Sequence, residues 1–337
     1  MDTNKKVVDE VTGYLRVFED GTVDRTWTGP PELGFLMESV PPHENFKDGV
    51  AIRDQTIDPK SGLAVRIYIP EKDQNGQNKG KLPVILHFHG GGYCISQPDM
   101  YMYYHYYTWL VRSAQAICVS VYLRRAPEHK LPAPSEDAYA AFLWLRAISR
   151  GELSDQWITG YADFSRIYLV GDSTGGNLVH QVAARAGSDD IEPLRIGGGV
   201  AIHPGFMRSE PSKSLLESPD NPLLTREMVN KFMSFALPVG STRDHPITSP
   251  MGPEAPPLAN LTLPPMLIVV AELDLLRDGE LEYIEEMKKA GKEVEVMMNH
   301  GMGHSFYFNK TAIDMDPETA SQAQKLIEEI TSFMNRH

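Results

Sequence analysis

Ser173 stands in Gly171-Asp172-Ser173-Thr174-Gly175, between a strand-like run, Arg166 to Val170, and a helix-like run, Asn177 to Ala186. A serine on such a sharp strand-to-helix turn can lift its hydroxyl clear of neighbouring side chains, provided that small flanking residues let the backbone bend. The hydroxyl is a weak nucleophile at neutral pH. It needs a base to take its proton and a carboxylate to hold that base in the right tautomer. His304, in Gly301-Met302-Gly303-His304, and Asp274, in Asp274-Leu275-Leu276-Arg277-Asp278, lie downstream in the order serine, acid, histidine. Upstream, His89-Gly90-Gly91-Gly92 follows the apolar run Pro83 to Phe88. Consecutive glycines there let backbone N–H groups turn toward a developing negative oxygen without a Cβ in the way. The chemistry this set could perform is acyl transfer.

Other residues compete for each role. Glu272 sits so close to the end of the apolar run Met266 to Val270 that its side chain is expected to pack or cap. Asp278 is placed to start the helix running through Leu281 to Lys289 and is expected to be its N-cap. That leaves Asp274 as the acid. Among eleven histidines His300 is the nearest rival to His304, but Gly301 and Gly303 suggest a tight loop presenting His304. The pair does not form the H-E-x-x-H pattern of a zinc site, so no metal is expected.

These residues need a scaffold that brings strand ends together. Strand-like runs at 63–69, 83–88, 117–122, 166–170, 196–202, 266–271 and 293–298 alternate with helix-like stretches at about 100–113, 135–149, 176–187 and 278–290. That rhythm predicts an α/β fold with a mostly parallel central sheet and helices on both faces. Asp316-Pro317 reads as the start of a last helix carrying Ala323, Ile327, Ile330 and Met334 on one face. Ahead of the rhythm, Val7, Val8 and Val11 can form one face of a short helix, and Tyr14 to Thr26 reads as a hairpin turning at Asp20-Gly21. Gly205 to about Arg243 interrupts the alternation with a helix near Thr225 to Leu237. The aromatic stretch Met100 to Trp109 is expected to bury its rings against the sheet.

Composition narrows the function. A chain of 337 residues with 42% hydrophobic content fits one domain, residues 1–337, with an ample core. A net charge of −13 argues against nucleic acid and against an anionic membrane surface as partners. Neutral small molecules fit better. The two cysteines, Cys94 and Cys118, are too few for a disulfide framework, and Cys118 falls in an apolar run where a small core residue is expected. The charged opening, Met1 to Glu10, lacks the apolar run of a signal peptide, and the apolar stretches fall short of the roughly 18 residues that span a bilayer. A cytoplasmic location is the expectation, and the two sequons at Asn260 and Asn309 read as chance.

Taken together, His89-Gly90-Gly91-Gly92-Tyr93, Arg125-Ala126-Pro127-Glu128-His129, Gly171 to Gly176, Asp274 to Asp278 and Gly301 to His304 resemble the plant carboxylesterases. These are hormone-sensitive-lipase-like α/β-hydrolases, related to the gibberellin receptors. The opening, Gly13 to Arg25, is similar to the subgroup induced in the hypersensitive response. The resemblance implies a serine esterase needing no cofactor, with Gly91, Gly92 and Thr174 donating N–H groups to the oxyanion. It implies a cap built from the N-terminal segment, residues 1–45, and the insertion, residues 205–243. Tyr93, Asp172 and Phe206 are the expected substrate-binding residues. Two departures stand out: Thr174 follows the nucleophile where the family has alanine or serine, and Leu123-Arg124-Arg125 replaces the usual Asp-Tyr-Arg-Leu run. The receptor relatives lack the histidine that His304 supplies here. That favours an enzyme over a receptor, while a dehydratase or cyclase reaction in the same pocket stays open.

Overall fold

The computed structural model describes residues 5–71, 80–221 and 223–337. Residues 1–4 of the N-terminal segment and Pro222 of the insertion lie outside the described residues. In chain order the elements begin with β1 (Val7–Val11), β2 (Leu15–Phe18), β3 (Val23–Asp24), β4 (His43–Lys47), β5 (Val50–Asp58), β6 (Leu63–Pro70) and β7 (Leu82–Phe88). Then follow α1 (Tyr101–Ala114), β8 (Ile117–Val121), α2 (Ala133–Ser149), α3 (Gln156–Tyr161), β9 (Ala162–Asp172), α4 (Thr174–Ala186) and β10 (Ile196–Ile202). The chain closes with α5 (Lys213–Glu217), α6 (Arg226–Ala236), β11 (Met266–Ala271), α7 (Arg277–Lys289), β12 (Val294–Asn299), α8 (Lys310–Met315) and α9 (Pro317–Arg336).

The large sheet runs in the order β12-β11-β10-β9-β7-β8-β6-β5-β4. Every pair from β12 across to β8 is parallel, and β6, β5 and β4 extend it with antiparallel pairing. The alternation of strand side chains sends β7 into both cores. Val84, Leu86 and Phe88 join one layer with Phe142 of α2 and Leu178 of α4, while Ile85 joins the other with Tyr107 of α1 and Ile327 of α9. Parallel strands covered on both faces leave their C-terminal ends as the place where loops can meet, and the four motif-bearing loops all leave there.

Three expectations need correction. Val7–Val11 is not a helix but β1, paired with β2 beside the expected hairpin. A short valine-rich run gains little as an isolated helix, whereas β-branched valines suit a strand with a ready partner. The sequence rhythm also missed β4 and β5, because Arg53-Asp54-Gln55-Thr56 puts polar residues on a half-exposed strand near the sheet edge. Asp278 is not an N-cap. Leu276 holds that position, and the Asp278 carboxylate accepts the N–H of Ser214 at 2.7 Å, tying α7 to α5. The aromatic stretch packs as expected, with Tyr103, Tyr106 and Tyr107 of α1 fully buried.

Candidate active site

The elbow is fixed by backbone crowding. Ser173 follows β9 directly, has φ +51°, and is succeeded at once by α4. Such a φ strains any residue with a side chain, so something must hold it. Ser173 N–H donates to Ile202 O at 2.9 Å, and Ser173 O accepts the N–H groups of Gly176 and Gly205 at 2.9 and 3.0 Å. A Cβ on Gly175 would lie 1.9 Å from Phe88 O, so the helix can approach β7 this closely only with glycine there.

Asp274 leaves the end of β11 and His304 the loop after β12. The His304 Nδ1 to Asp274 Oδ2 distance is 2.6 Å, and Asp274 Oδ1 accepts Leu276 N–H at 2.9 Å. A carboxylate accepts, so Nδ1 carries the proton and Nε2 is left as the basic nitrogen. Burial pushes the Asp274 carboxyl up, but the imidazole beside it more than offsets this and leaves it below the usual range. Glu272 does cap, accepting Gly301 N–H at 2.8 Å and so pinning the histidine loop. Ser305 N–H donates to His203 Nδ1 at 3.1 Å. His203 is a buried imidazole held mainly neutral, its pKa lowered by burial to about 4.

The glycine loop faces the elbow. Among the described residues no acceptor takes the N–H of Gly91, Gly92 or Thr174, so all three remain available to a ligand oxygen. Gly92 has φ +62°, and a Cβ there would come within 2.2 Å of Phe232 Cγ. The Phe232 ring of α6 therefore lies directly on this glycine. The Thr174 hydroxyl accepts Tyr93 N–H at 3.3 Å, tying the elbow to the glycine loop.

Asp172 borders the cavity, yet its oxygens are spoken for. Oδ1 meets His87 Nε2 at 3.1 Å, and Oδ2 accepts from Gly90 N–H and the Tyr103 hydroxyl, each at 3.1 Å. His87 in turn reaches Ser120 Oγ at 2.7 Å. This buried network braces the glycine loop against β7 and β8, a support the sequence could not display because its members are far apart in the chain. The structure does not bring Tyr93 or Phe206 to the cavity wall. Tyr93 is buried in the core, and Phe206 packs on Tyr283 with ring centroids 4.2 Å apart.

Ser173 and His304 open into one cavity of about 70 Å³. Its other walls are Tyr14 and Met37 from the N-terminal segment, Val229, Phe232 and Met233 from α6, and Met102 of α1. Sequence reasoning missed these wall residues. No spacing rule links Tyr14 to Phe232. His203, Asp274 and His304 also cluster within 4.8 Å, but His203 Nδ1 and the facing atoms of Asp274 and His304 already pair with protein groups.

A sheet with these crossovers and a serine elbow at its C-terminal edge defines an α/β-hydrolase fold, and residues 85–308 match the family model described as alpha/beta hydrolase fold. The chain belongs to this family, in the hormone-sensitive-lipase-like branch that includes the plant carboxylesterases. It is 34% identical to probable carboxylesterase 2 of Arabidopsis thaliana over 337 residues, covering 99% of this chain and 98% of that one. It is 33% identical to 2-hydroxyisoflavanone dehydratase of Glycyrrhiza echinata over 343 residues, covering 98% and 97%. Carboxyl esterase 2 of Tuber melanosporum superposes with a TM-score of 0.69 at 26% identity, covering 87% of this chain and 89% of that one. Among the described residues no helix is long and apolar enough to cross a membrane.

Proposed function

We propose that the protein is a serine carboxylesterase acting on small to medium uncharged esters. Ser173 attacks the ester carbonyl, His304 Nε2 takes the proton and returns it to the leaving alcohol, and Asp274 holds the imidazole. The amides of Gly91, Gly92 and Thr174 receive the oxyanion. Water then repeats the cycle on the acyl-enzyme. The observation that carries this reading is the convergence of a strained serine, a histidine hydrogen-bonded to a buried aspartate, and three unengaged amides around one apolar cavity. Among the described residues no Lys or Arg side chain lines that cavity, which favours neutral over anionic substrates.

A second reading is elimination or cyclisation in the same pocket, favoured by the similarity to a dehydratase along nearly the whole chain. Incubation with nitrophenyl acetate and with a panel of hydroxylated plant metabolites, followed by product analysis, separates the two. The esterase reading expects nitrophenol release that falls about 10⁴–10⁶-fold in Ser173→Ala. Dehydrated or cyclised products without ester turnover would replace it with the second.

A further inference from the structure

Glu280, on α7, is fully buried, and among the described residues no donor reaches either carboxyl oxygen. Such a group is expensive as an anion and calls for an explanation. Glu280 N–H donates to Leu276 O at 3.2 Å, and Leu276 N–H donates to Asp274 Oδ1 at 2.9 Å, so the first turn of α7 sets Glu280 beside Asp274; Asp274 and Arg277 are the charged groups that act on it. Arg277 is committed elsewhere: its guanidinium donates to Glu272 O at 2.9 Å and to Asp278 Oδ1 at 3.2 and 3.3 Å. Two carboxyl groups in contact in a dry interior cannot both ionise, so one proton must stay between them. Asp274 already faces His304 and Leu276 N–H as an acceptor, and both contacts favour its anion. The proton therefore resides on Glu280, whose carboxyl burial and the Asp274 charge push well above its ordinary range.

We propose that Glu280 is a positioning residue: as a neutral acid it donates its carboxyl proton to Asp274 and holds that carboxylate in the orientation that meets His304. The proposal rests on Asp274 being the carboxylate of the triad. A carboxylate has lone pairs for three such partners, so the Glu280 proton adds to the His304 and Leu276 contacts without displacing them. It also draws charge away from the imidazole side, so its removal concentrates negative charge on the Asp274 oxygen that faces His304.

Two substitutions in the full chain separate positioning from packing. Glu280→Gln keeps a donor of the same shape, and kcat on nitrophenyl acetate should stay within about two-fold of the parent. Glu280→Leu removes the donor, and kcat should fall about ten-fold, the size of one hydrogen bond to a charged group, with KM little changed. Its acid limb in kcat/KM should move to higher pH, because an Asp274 without its second donor favours the protonated imidazole. A Gln variant as impaired as the Leu variant, or a Leu variant with the parent's kcat and pH profile, would overturn the proposal. Where Glu280→Leu does not fold, the infrared spectrum decides. A protonated-carboxyl band at neutral pH should be present in the parent and missing in Glu280→Gln, and a parent without it overturns the proposal. That band reads the proton independently of turnover, so its presence in a protein inert toward esters would sink the esterase reading alone.

Discussion

The floor and the walls of the cavity are built by different rules. On the floor the groups that support the site have assigned partners, while the Gly91, Gly92 and Thr174 amides stay unengaged: Ser173 is held through its own backbone, Asp274 through His304 and Leu276, and Asp172 through His87, Gly90 and Tyr103. The walls are apolar and come from separate segments, with Met37, Met102 and Met233 among them. Polar ties hold these segments at their edges. Arg25 reaches Cys94 O at 2.6 Å, Ala126 O at 2.9 Å and Glu128, and Lys231 of α6 pairs with Asp9 of β1 at 2.5 Å. Directional bonds and crowded glycines fix reacting atoms to a fraction of an ångström, whereas flexible methionines adapt to shape. The lesson is a division of labour, with the floor fixing the polar groups in place and the walls shaping the space above them.

The largest test of that division falls on the floor. Asp274→Asn should lower kcat by roughly 10⁴ with KM nearly unchanged, because the amide favours the wrong imidazole tautomer. Asp278→Asn, which disturbs the α5 to α7 tie and the Arg277 pair, should shift the thermal midpoint and leave kcat near the parent's. A larger kinetic loss at 278 would break the assignment of the floor.

Gly92→Ala probes the seam where wall meets floor. The new methyl would collide with Phe232 and the backbone would be strained at φ +62°, so kcat should fall about 10²–10³-fold, the usual effect of losing one oxyanion donor. A variant with normal turnover would show that this amide receives no oxyanion.

The smallest effect is expected in the walls. An apolar cavity of about 150 Å³ holds benzene, so the 70 Å³ here admits a small acyl group only, and larger ones require α6 or the N-terminal segment to shift. Phe232→Ala should therefore raise kcat/KM for nitrophenyl hexanoate relative to the acetate by about ten-fold, since each added methylene has space to bury. Equal change on both esters would mean that the wall is scaffold and selects nothing.

What could be read in the sequence follows the same line between floor and walls. Ser173, Asp274, His304 and the glycine loop each sit in a short local motif at the end of an apolar strand, so type and spacing alone marked them as candidates. The parallel sheet was legible for the same reason, through apolar runs alternating with helical ones. The walls were not. Tyr14, Met37 and Phe232 meet only after three distant segments fold together, and Tyr93, though adjacent to the glycines, points into the core. Asp172 was singled out as a cavity residue, but its bracing bonds were not legible, because its partners His87 and Tyr103 come from β7 and α1. Glu280 gave no signal, as an acidic residue in the first turn of a helix ordinarily faces water and favours the dipole.

The central claim, that Ser173 is an activated nucleophile, is tested most directly by trapping it. Treatment of the full chain with a fluorophosphonate, followed by intact-mass measurement and peptide mapping, should give a single adduct on Ser173, formed rapidly in the parent and far more slowly in Asp274→Asn. No adduct, or an adduct on another residue at the same rate in Ser173→Ala, would contradict it.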